Sequence, residues 1–371
     1  MISNVEMDPR LGSGITRLHW SEGLQKRGHQ VSVWEPKDYE WGYGRGWPGK
    51  KFRQTAGALR KAIKDQIDRH YDVVLLYGDE FWSVSSWLRG RIRRPQIVAG
   101  SDGLEYRMME QLWKAEGDVL SFSRKIRRFF DRQIHYRLSL KAFQKMDALV
   151  CGARVDIEDA IQRGFINREK TFVNSPGLDP MLIGIPFKSE RTDSIVFNGS
   201  WIARKGIEVV VRVTQRLLRK RATLTIHLLG TGEGSQNIIK SYSAEVRDRV
   251  KIYPRHIPSE LSQILGDKAV FFLPTQFEGF GMATSEAMAC GCSVVTTPTG
   301  FGAELESGKE GLIINFQEEE KMESAIESLL SDPALRESIA YQGWRKVQSM
   351  NWEDKERGLE EFIVKLVQRA L

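Results

Sequence analysis

The sequence predicts an α/β protein with two doubly wound parallel sheets. Short apolar strands alternate with helices along the chain, an order that places helices on both faces of a parallel sheet. The 371 residues are long for one hydrophobic core and typical of two domains. A turn-rich stretch over residues 175–180 interrupts the alternation and marks the expected domain boundary.

The first half carries the first round of this alternation. A helix over 15–27 should end at Gly28, a glycine stop, and a second helix is predicted over 58–69. The predicted strands are runs of apolar residues over 30–34, 73–77, 96–100 and 148–151.

The second half repeats the pattern. Residues 269–273, Ala-Val-Phe-Phe-Leu, form a continuous apolar run, as expected of a strand buried on both faces of a parallel sheet. A helix should begin at Met282, because small and apolar residues follow it. The other predicted strands cover 194–198, 223–230, 250–253 and 293–296.

Composition limits the classes of protein to consider. No apolar run approaches the ~20 residues of a transmembrane helix, and the N-terminus lacks the apolar segment of a signal peptide. Three cysteines without paired spacing favour a reducing compartment. The six histidines are scattered and predict no metal-ligand cluster. We therefore expect a cytoplasmic, metal-free protein.

The positive charge is concentrated in the first half. Residues 1–188 hold 32 Lys and Arg against 23 Asp and Glu, whereas the remainder holds 23 against 25. Basic residues alternate with apolar ones over 123–145, and a second dense stretch spans 89–94. The alternation over 123–145 predicts an amphipathic basic helix. This helix either lies on an anionic membrane surface or packs on its own domain with a solvated basic face. No nucleic-acid-binding motif accompanies the charge.

The most informative stretch is residues 277–291, Phe-Glu-Gly-Phe-Gly-Met-Ala-Thr-Ser-Glu-Ala-Met-Ala-Cys-Gly. It places Glu278 and Glu286 on either side of a glycine-bearing turn that opens a helix. Gly281 lets the backbone approach a ligand closely, and a helix start attracts phosphate through free N–H groups and its dipole. The two carboxylates could accept hydroxyls of a ribose or a hexose.

This stretch resembles the donor-site signature of the retaining glycosyltransferases of the GT-B fold, the group 1 family (family 4). The resemblance implies two Rossmann-like domains facing each other across a cleft. Residues 1–175 would form the acceptor-side domain and 176–352 the nucleotide-sugar-binding domain, with the helix 353–371 crossing back to the first. A plain strand–turn–helix with two solvated glutamates is the alternative, and it leaves the Gly-Phe-Gly turn unexplained.

The resemblance also implies roles for single residues. Residues 197–206 resemble the family segment in which an Arg and a Lys neutralise the donor diphosphate. Lys205 matches directly; Ser200 stands where the family often has the arginine, so Arg204 would supply the second cation. Glu278 would hold donor-sugar hydroxyls and Glu286 the ribose. The expected donor-binding residues are Gly14, Gly199, Ser200, Gly230, His256, Phe280, Gly281, Met282, Ala283 and Glu286.

Two segments of the first domain resemble family elements. Residues 11–15 resemble the glycine loop that meets the donor phosphates, with Gly14 as the better match. Residues 101–105 resemble the family's Thr-His-Gly-Leu-Glu, so Asp102 stands where a histidine often contacts the transferred sugar. Asp102 either accepts a sugar hydroxyl or caps a helix. Met1–Asn4 resembles the end of a central first strand. Either this strand is unusually short, or the sequence starts a few residues late.

We therefore expect a retaining glycosyltransferase that moves a sugar from a nucleotide diphosphate sugar to a saccharide or lipid-linked acceptor. The expected catalytic residues are Glu278, Lys205, Arg204 and Asp102, without cofactor or metal. The setting would be cell-envelope polysaccharide or glycolipid synthesis, with peripheral contact at the inner membrane face. Two rivals stay open: a non-catalytic GT-B subunit, and an oxidoreductase using the glycine-rich residues 230–234, whose spacing is not G-x-G-x-x-G.

Overall fold

The chain folds into two compact units. One contains Met1–Pro176 together with Trp352–Leu371, and the second contains Gly177–Asn351. The structure is a computed structural model that describes residues 1–8, 12–40, 50–116, 129, 131–232, 234–254 and 258–370.

The first unit contains a parallel sheet in the order β1-β2-β3-β4-β5. Every pairing between neighbouring strands is parallel, so their carboxyl ends meet at one edge of the sheet. The strands are β1 (Ile2–Ser3), β2 (Val73–Tyr77), β3 (Gln96–Ser101), β4 (Ala148–Cys151) and β5 (Thr171–Val173). The described helices are α1 (Gly12–Lys26), α2 (Pro36–Tyr39), α3 (Lys50–Lys64), α4 (Ile67–His70), α5 (Trp82–Arg89), α6 (Glu105–Glu116), α7 (Tyr136–Gln144), α8 (Arg154–Gln162) and, from the C-terminus, α9 (Trp352–Gln368).

Two predictions in this unit are wrong. The predicted strand over 30–34 pairs only at Trp34, through a single bridge to Ile2, because β1 offers just two residues to pair with. The predicted helix over 58–69 is broken between α3 and α4. Gln66 takes a left-handed φ of 47° there, and the break lets Ile67 turn inward, where it is 2% exposed. The strands predicted over 73–77, 96–100 and 148–151 are confirmed.

The basic segment 123–145 is described only in part, because residues 123–128 and 130 lie outside the described residues. Within α7, Ser139, Ala142 and Phe143 are buried, while Arg137 and Lys141 are exposed. This part packs one face on its own unit and turns basic side chains to solvent. No helix in the described part of the chain is long and apolar enough to cross a membrane.

Helix α9 packs against α1 within the first unit. The ring of Trp352 stacks on His19 at 3.9 Å between centroids, and His19 Nδ1 lies 2.9 Å from Glu356 Oε1. Arg27 donates to the other oxygen of Glu356 at 3.3 Å. The C-terminal segment therefore contributes a partly buried Arg27–Glu356 ion pair, a His19–Glu356 hydrogen bond and an aromatic stack to the unit that contains the N-terminus.

The second unit contains a parallel sheet in the order β11-β10-β9-β6-β7-β8. Its strands are β6 (Thr192–Asn198), β7 (Thr225–Leu229), β8 (Val250–Tyr253), β9 (Lys268–Leu273), β10 (Ser293–Thr296) and β11 (Leu312–Ile313). The described helices are α10 (Ile207–Lys220), α11 (Ser235–Ile239), α12 (Pro258–Leu265), α13 (Met282–Ala289), α14 (Glu319–Ser331) and α15 (Pro333–Val347). All the strands predicted for this half are confirmed, and so is the helix beginning at Met282.

The centre of this sheet is fully apolar. Val270, Phe271 and Phe272 of β9 are 0% exposed, because β9 lies between β6 and β10 and packs against α13 and α14. Burial of such side chains is worth roughly 1.5–3 kcal/mol each. A rigid central strand therefore fixes the position of the loop that follows it, residues 274–281.

Gly206, in the loop after β6, lies in close contact with Pro274, in the loop after β9. It has a φ of 73°, and a Cβ added there would lie 1.8 Å from the carbonyl oxygen of Pro274. We expect Gly206→Ala to lower the free energy of unfolding by about 3 kcal/mol or more, from left-handed strain plus the clash. Gly184→Ala is the matched control, since its φ is 78° and nothing lies within 4 Å. It should cost only about 1–2 kcal/mol. Denaturant unfolding of both variants measures the difference, and equal losses would contradict the clash.

Candidate functional site

Loops from several strands meet at the carboxyl edge of the second sheet. The N–H of Gly199, after β6, donates to Leu229 C=O at 2.9 Å, and Trp201 N–H donates to Thr231 C=O at 3.0 Å. The N–H of Gly230, after β7, donates to Tyr253 C=O at 2.9 Å. Open parallel sheets bind ligands at this edge.

The loop after β6 is tied to the loop after β9 through Arg204. Its carbonyl accepts from Gln276 N–H at 2.8 Å, and its guanidinium Nη1 donates to Phe277 C=O at 2.8 Å. The hydroxyl of Thr275 also donates to the Arg204 carbonyl, at 3.2 Å. Arg204 therefore holds the two loops together.

Lys205 and Glu278 form an ion pair at this edge. Lys205 Nζ donates to Glu278 Oε1 at 2.5 Å, and the two side chains are 15% and 10% exposed. Lys205 closes a short 3₁₀ turn after β6, whereas Glu278 follows β9, so the fold brings together two residues 73 positions apart. This charge-assisted contact places one cation and one carboxylate side by side at the carboxyl edge of the sheet.

Helix α13 begins beside this pair without a side-chain cap. Gly281 precedes it with a φ of 92°, and no acidic residue lies in its first turn. Thr284 N–H is satisfied by Gly281 C=O at 3.0 Å, while Met282 and Ala283 are partly exposed. Within the described residues no side chain caps this helix start, so its first amides and its dipole are available to an anion.

The turn before α13 is held by the loop after β10. Phe301 N–H donates to Phe280 C=O at 2.5 Å, and the two phenyl rings lie 5.1 Å apart. Gly300 has a φ of 53°, and a Cβ there would lie 2.4 Å from the Phe280 oxygen. Only glycine at position 300 allows the two backbones to come this close. The Gly-Phe-Gly turn at 279–281 is therefore packed against the loop after β10.

Glu286 lies on the second turn of α13 and is partly buried. Burial raises the pKa of its carboxyl from 4.5 to about 7, with a smaller contribution from the negative charge of Asp179. No described residue donates a hydrogen bond to the carboxylate of Glu286. A partly buried carboxyl with no partner among the described residues is suited to accepting ligand hydroxyls.

Three further residues were predicted to bind the donor: Ser200, Gly230 and His256. Ser200 is exposed next to the turn of Lys205, and Gly230 ends β7 with a φ of 66°. His256 lies outside the described residues. The structure therefore brings Lys205, Arg204 and Glu278 together beside the start of α13, and their roles toward a ligand stay predictions.

In the first unit, Asp102 follows β3, and its side chain is 32% exposed although both carboxylate oxygens have protein neighbours. Its Oδ1 accepts from the Tyr77 hydroxyl at 2.5 Å, and its Oδ2 lies 3.4 Å from Arg17 Nη2. Burial raises the pKa of Asp102, while Arg17 and the Tyr77 hydrogen bond oppose the rise. Gly14, in the first turn of α1, packs so closely that a Cβ there would lie 2.2 Å from Asp8 C=O.

Sequence reasoning missed a polar cluster at the same edge. One oxygen from each of Asp79, Glu80 and Glu105 lies within 4.8 Å of the others, a spacing that could hold a cation. Lys51 Nζ reaches Asp79 at 2.8 Å and Glu80 at 3.7 Å and supplies positive charge there. Burial and Asp79 raise the pKa of Glu80 to about 7. Polar residues directly after the buried strand β2 were the signal for this cluster.

Comparison with known proteins identifies the second unit. The family model "Glycosyl transferases group 1" matches residues 184–346, which contain Lys205, Glu278 and Glu286. Residues 184–346 belong to the group 1 glycosyltransferase family. The resemblance drawn from the motif at 277–291 is confirmed.

The chain also resembles individual proteins in sequence or in fold. The chain is 26% identical over 194 residues to D-inositol 3-phosphate glycosyltransferase of Rhodococcus opacus (strain B4), a match covering 50% of this chain and 41% of that protein. The match thus spans about two fifths of that relative. Sucrose-phosphate synthase from Thermosynechococcus elongatus superposes with a TM-score of 0.76 at 17% identity, covering 99% and 98% of the two chains. HepE of Anabaena, solved with UDP, gives 0.67 at 14% identity, covering 98% and 99%. The α/β prediction with two parallel sheets of GT-B type is confirmed.

Proposed function

We propose that this group 1 glycosyltransferase moves a sugar from a nucleotide diphosphate sugar to a hydroxyl of a saccharide or lipid-linked acceptor, with retention of the anomeric configuration. The observation that carries the proposal is the Lys205–Glu278 pair at 2.5 Å, beside the uncapped start of α13. It offers a cation and a dipole to the diphosphate and a carboxylate to the sugar.

The chemistry required of the protein is electrostatic. The bond between the sugar's anomeric carbon and the diphosphate oxygen breaks while the acceptor oxygen bonds to that carbon from the same face. The departing diphosphate takes the acceptor's proton, so no protein base is needed. Lys205, with Arg204 and the amides of Met282 and Ala283, would stabilise the charge that develops on the leaving oxygen. We propose that this needs neither a metal nor a cofactor.

The similar proteins indicate which donor nucleotide and which acceptor to test. HepE was solved with UDP, which makes UDP the first nucleotide to test. The Rhodococcus opacus relative is named for D-inositol 3-phosphate, and a Staphylococcus aureus relative is named for capsular polysaccharide biosynthesis. We propose an acceptor of cell-envelope polysaccharide or glycolipid synthesis. The exposed basic side chains of α7 would assist peripheral contact with anionic lipid.

Donor turnover tests the proposal. The purified chain is incubated with UDP-, GDP- and ADP-sugars, with and without a disaccharide acceptor and a chelator, while released nucleotide diphosphate is measured. We expect release from one donor in the presence of chelator, and proton NMR of the product should show the donor's anomeric configuration. Inversion would contradict retention. Nucleotide binding without release would favour a non-catalytic subunit, and binding of NAD alone would favour the oxidoreductase.

A further inference from the structure

Arg17 occupies an unusual position in the first unit. It lies in α1, only 3% exposed, and its guanidinium stacks over the Tyr77 ring at 3.8 Å. Nη1 donates to Ser13 C=O at 2.8 Å, and Nη2 donates to the Asn4 side-chain oxygen at 3.2 Å. Nη2 also lies 3.4 Å from Asp102 Oδ2.

These contacts connect four segments at one edge of the sheet. Asn4 follows β1, Tyr77 ends β2 and Asp102 follows β3, while Ser13 belongs to the turn that opens α1. A single side chain therefore fixes the ends of three parallel strands and the Ser13–Gly14 turn relative to one another. Ligands of open parallel sheets bind at this edge.

The arrangement is not what stability alone would select. Among the described residues, Arg17 Nε and Asp102 Oδ2 have no hydrogen-bond partner, although both atoms are buried. A buried cation with incomplete pairing costs free energy, and an apolar side chain of similar size would often be as stable or more so. Local costs of this kind are expected where function requires a fixed geometry.

Both carboxylate oxygens of Asp102 lie next to protein groups, and this orientation indicates how Asp102 and Arg17 act together. Its Oδ2 faces Arg17 and is buried, and its Oδ1 accepts from Tyr77. We propose that Arg17 is a positioning residue for the sugar transfer, and that Asp102 acts through Arg17 and Tyr77 without contacting the transferred sugar. This inference rests on the proposed function.

The test compares variants for turnover, UDP affinity and thermal stability. Arg17→Met should lower kcat on the order of 100-fold, the loss typical of a misplaced site, while Kd for UDP stays within about twofold. Affinity is expected to hold because the candidate nucleotide contacts lie in the second unit. Arg27→Met is the matched control, since Arg27, directly after α1, is another arginine paired with a carboxylate, Glu356. It should lower stability and leave kcat unchanged.

A double-mutant cycle separates positioning from direct contact. If Asp102 acts through Arg17, the variant carrying Arg17→Met and Asp102→Asn should be no slower than Arg17→Met alone. Losses that multiply would show that Asp102 works independently and would overturn the inference. So would an Arg17→Met variant with wild-type kcat. If Arg17→Met does not fold, the same cycle between Tyr77→Phe and Asp102→Asn decides the question.

Measurements on the wild-type protein separate the positioning role of Arg17 from the proposed glycosyltransferase function. An active wild type with unaffected Arg17 variants would remove the positioning role and leave the proposed function intact. A wild type that neither binds UDP nor turns over any nucleotide sugar would remove both.

Discussion

Lys205→Ala is expected to lower kcat by about 100- to 1,000-fold, the range found when one preorganised donor to a developing oxyanion is removed. Lys205 is the cation paired with Glu278 at 2.5 Å beside the start of α13. Without its ammonium, the leaving diphosphate loses a fixed positive charge in a partly buried setting. Steady-state kinetics with the accepted donor measures the effect.

The same substitution also leaves the carboxylate of Glu278 without its cation. Thermal unfolding must therefore accompany the kinetics. Lys220→Ala is the control, because it removes a lysine paired with Glu323 at 2.9 Å between α10 and α14 in the same unit. We expect Lys220→Ala to retain wild-type kcat. A folded Lys205→Ala variant with wild-type turnover would show that Lys205 does not serve the diphosphate.

The affinity for UDP is expected to rise with pH below about 7 and to level off above it. Glu286, with its pKa raised from 4.5 to about 7 by burial and Asp179, is protonated in the free protein below that pH. A carboxylate accepts ribose hydroxyls better than a carboxylic acid does. One linked proton gives up to about tenfold in affinity per pH unit. Calorimetric titrations from pH 5.5 to 8 measure this slope.

Glu286→Gln is the matched control, since it keeps the shape and removes the titration. UDP titrates too, so the quantity to compare is the ratio of wild-type to variant affinity at each pH. Without ligand, the raised pKa means that the folded state holds this proton more tightly than the unfolded chain. The free energy of unfolding should therefore fall as the pH rises from about 4.5 to 7. The Glu286→Gln variant should lack this pH dependence. A pH-independent affinity ratio would contradict a direct role for Glu286.

The sequence predicted the second unit well, for a physical reason. Its central strands are continuous apolar runs, such as Val270–Phe272. A run of that kind is typical of a strand buried on both faces of a parallel sheet. The turn at 278–281 was recognisable because glycine, carboxylate and small helical residues occur together. Its support by Gly300 and Phe301 depends on contact between two loops, and local sequence does not report such contacts.

The first unit was harder to predict. Residues 30–34 have the composition of a strand, but strand formation depends on a partner, and β1 supplies two residues. The helix break at Gln66 occurs at a residue with no special preference for positive φ, so burial of Ile67 overrides local propensity. Arg17 sits in an ordinary helical pattern, and only the topology brings it to Tyr77 and Asp102.

Calorimetric titration with UDP, without added metal, tests the central claim most directly. The claim is that Lys205, Glu286 and the start of α13 bind a nucleotide diphosphate. It predicts saturable 1:1 binding to the wild type that is weakened at least about tenfold in both Lys205→Ala and Glu286→Ala, corresponding to about 1.4 kcal/mol. GDP and ADP serve as comparators for the base. Unchanged affinity in both variants, or binding of NAD in place of all three diphosphates, would contradict it.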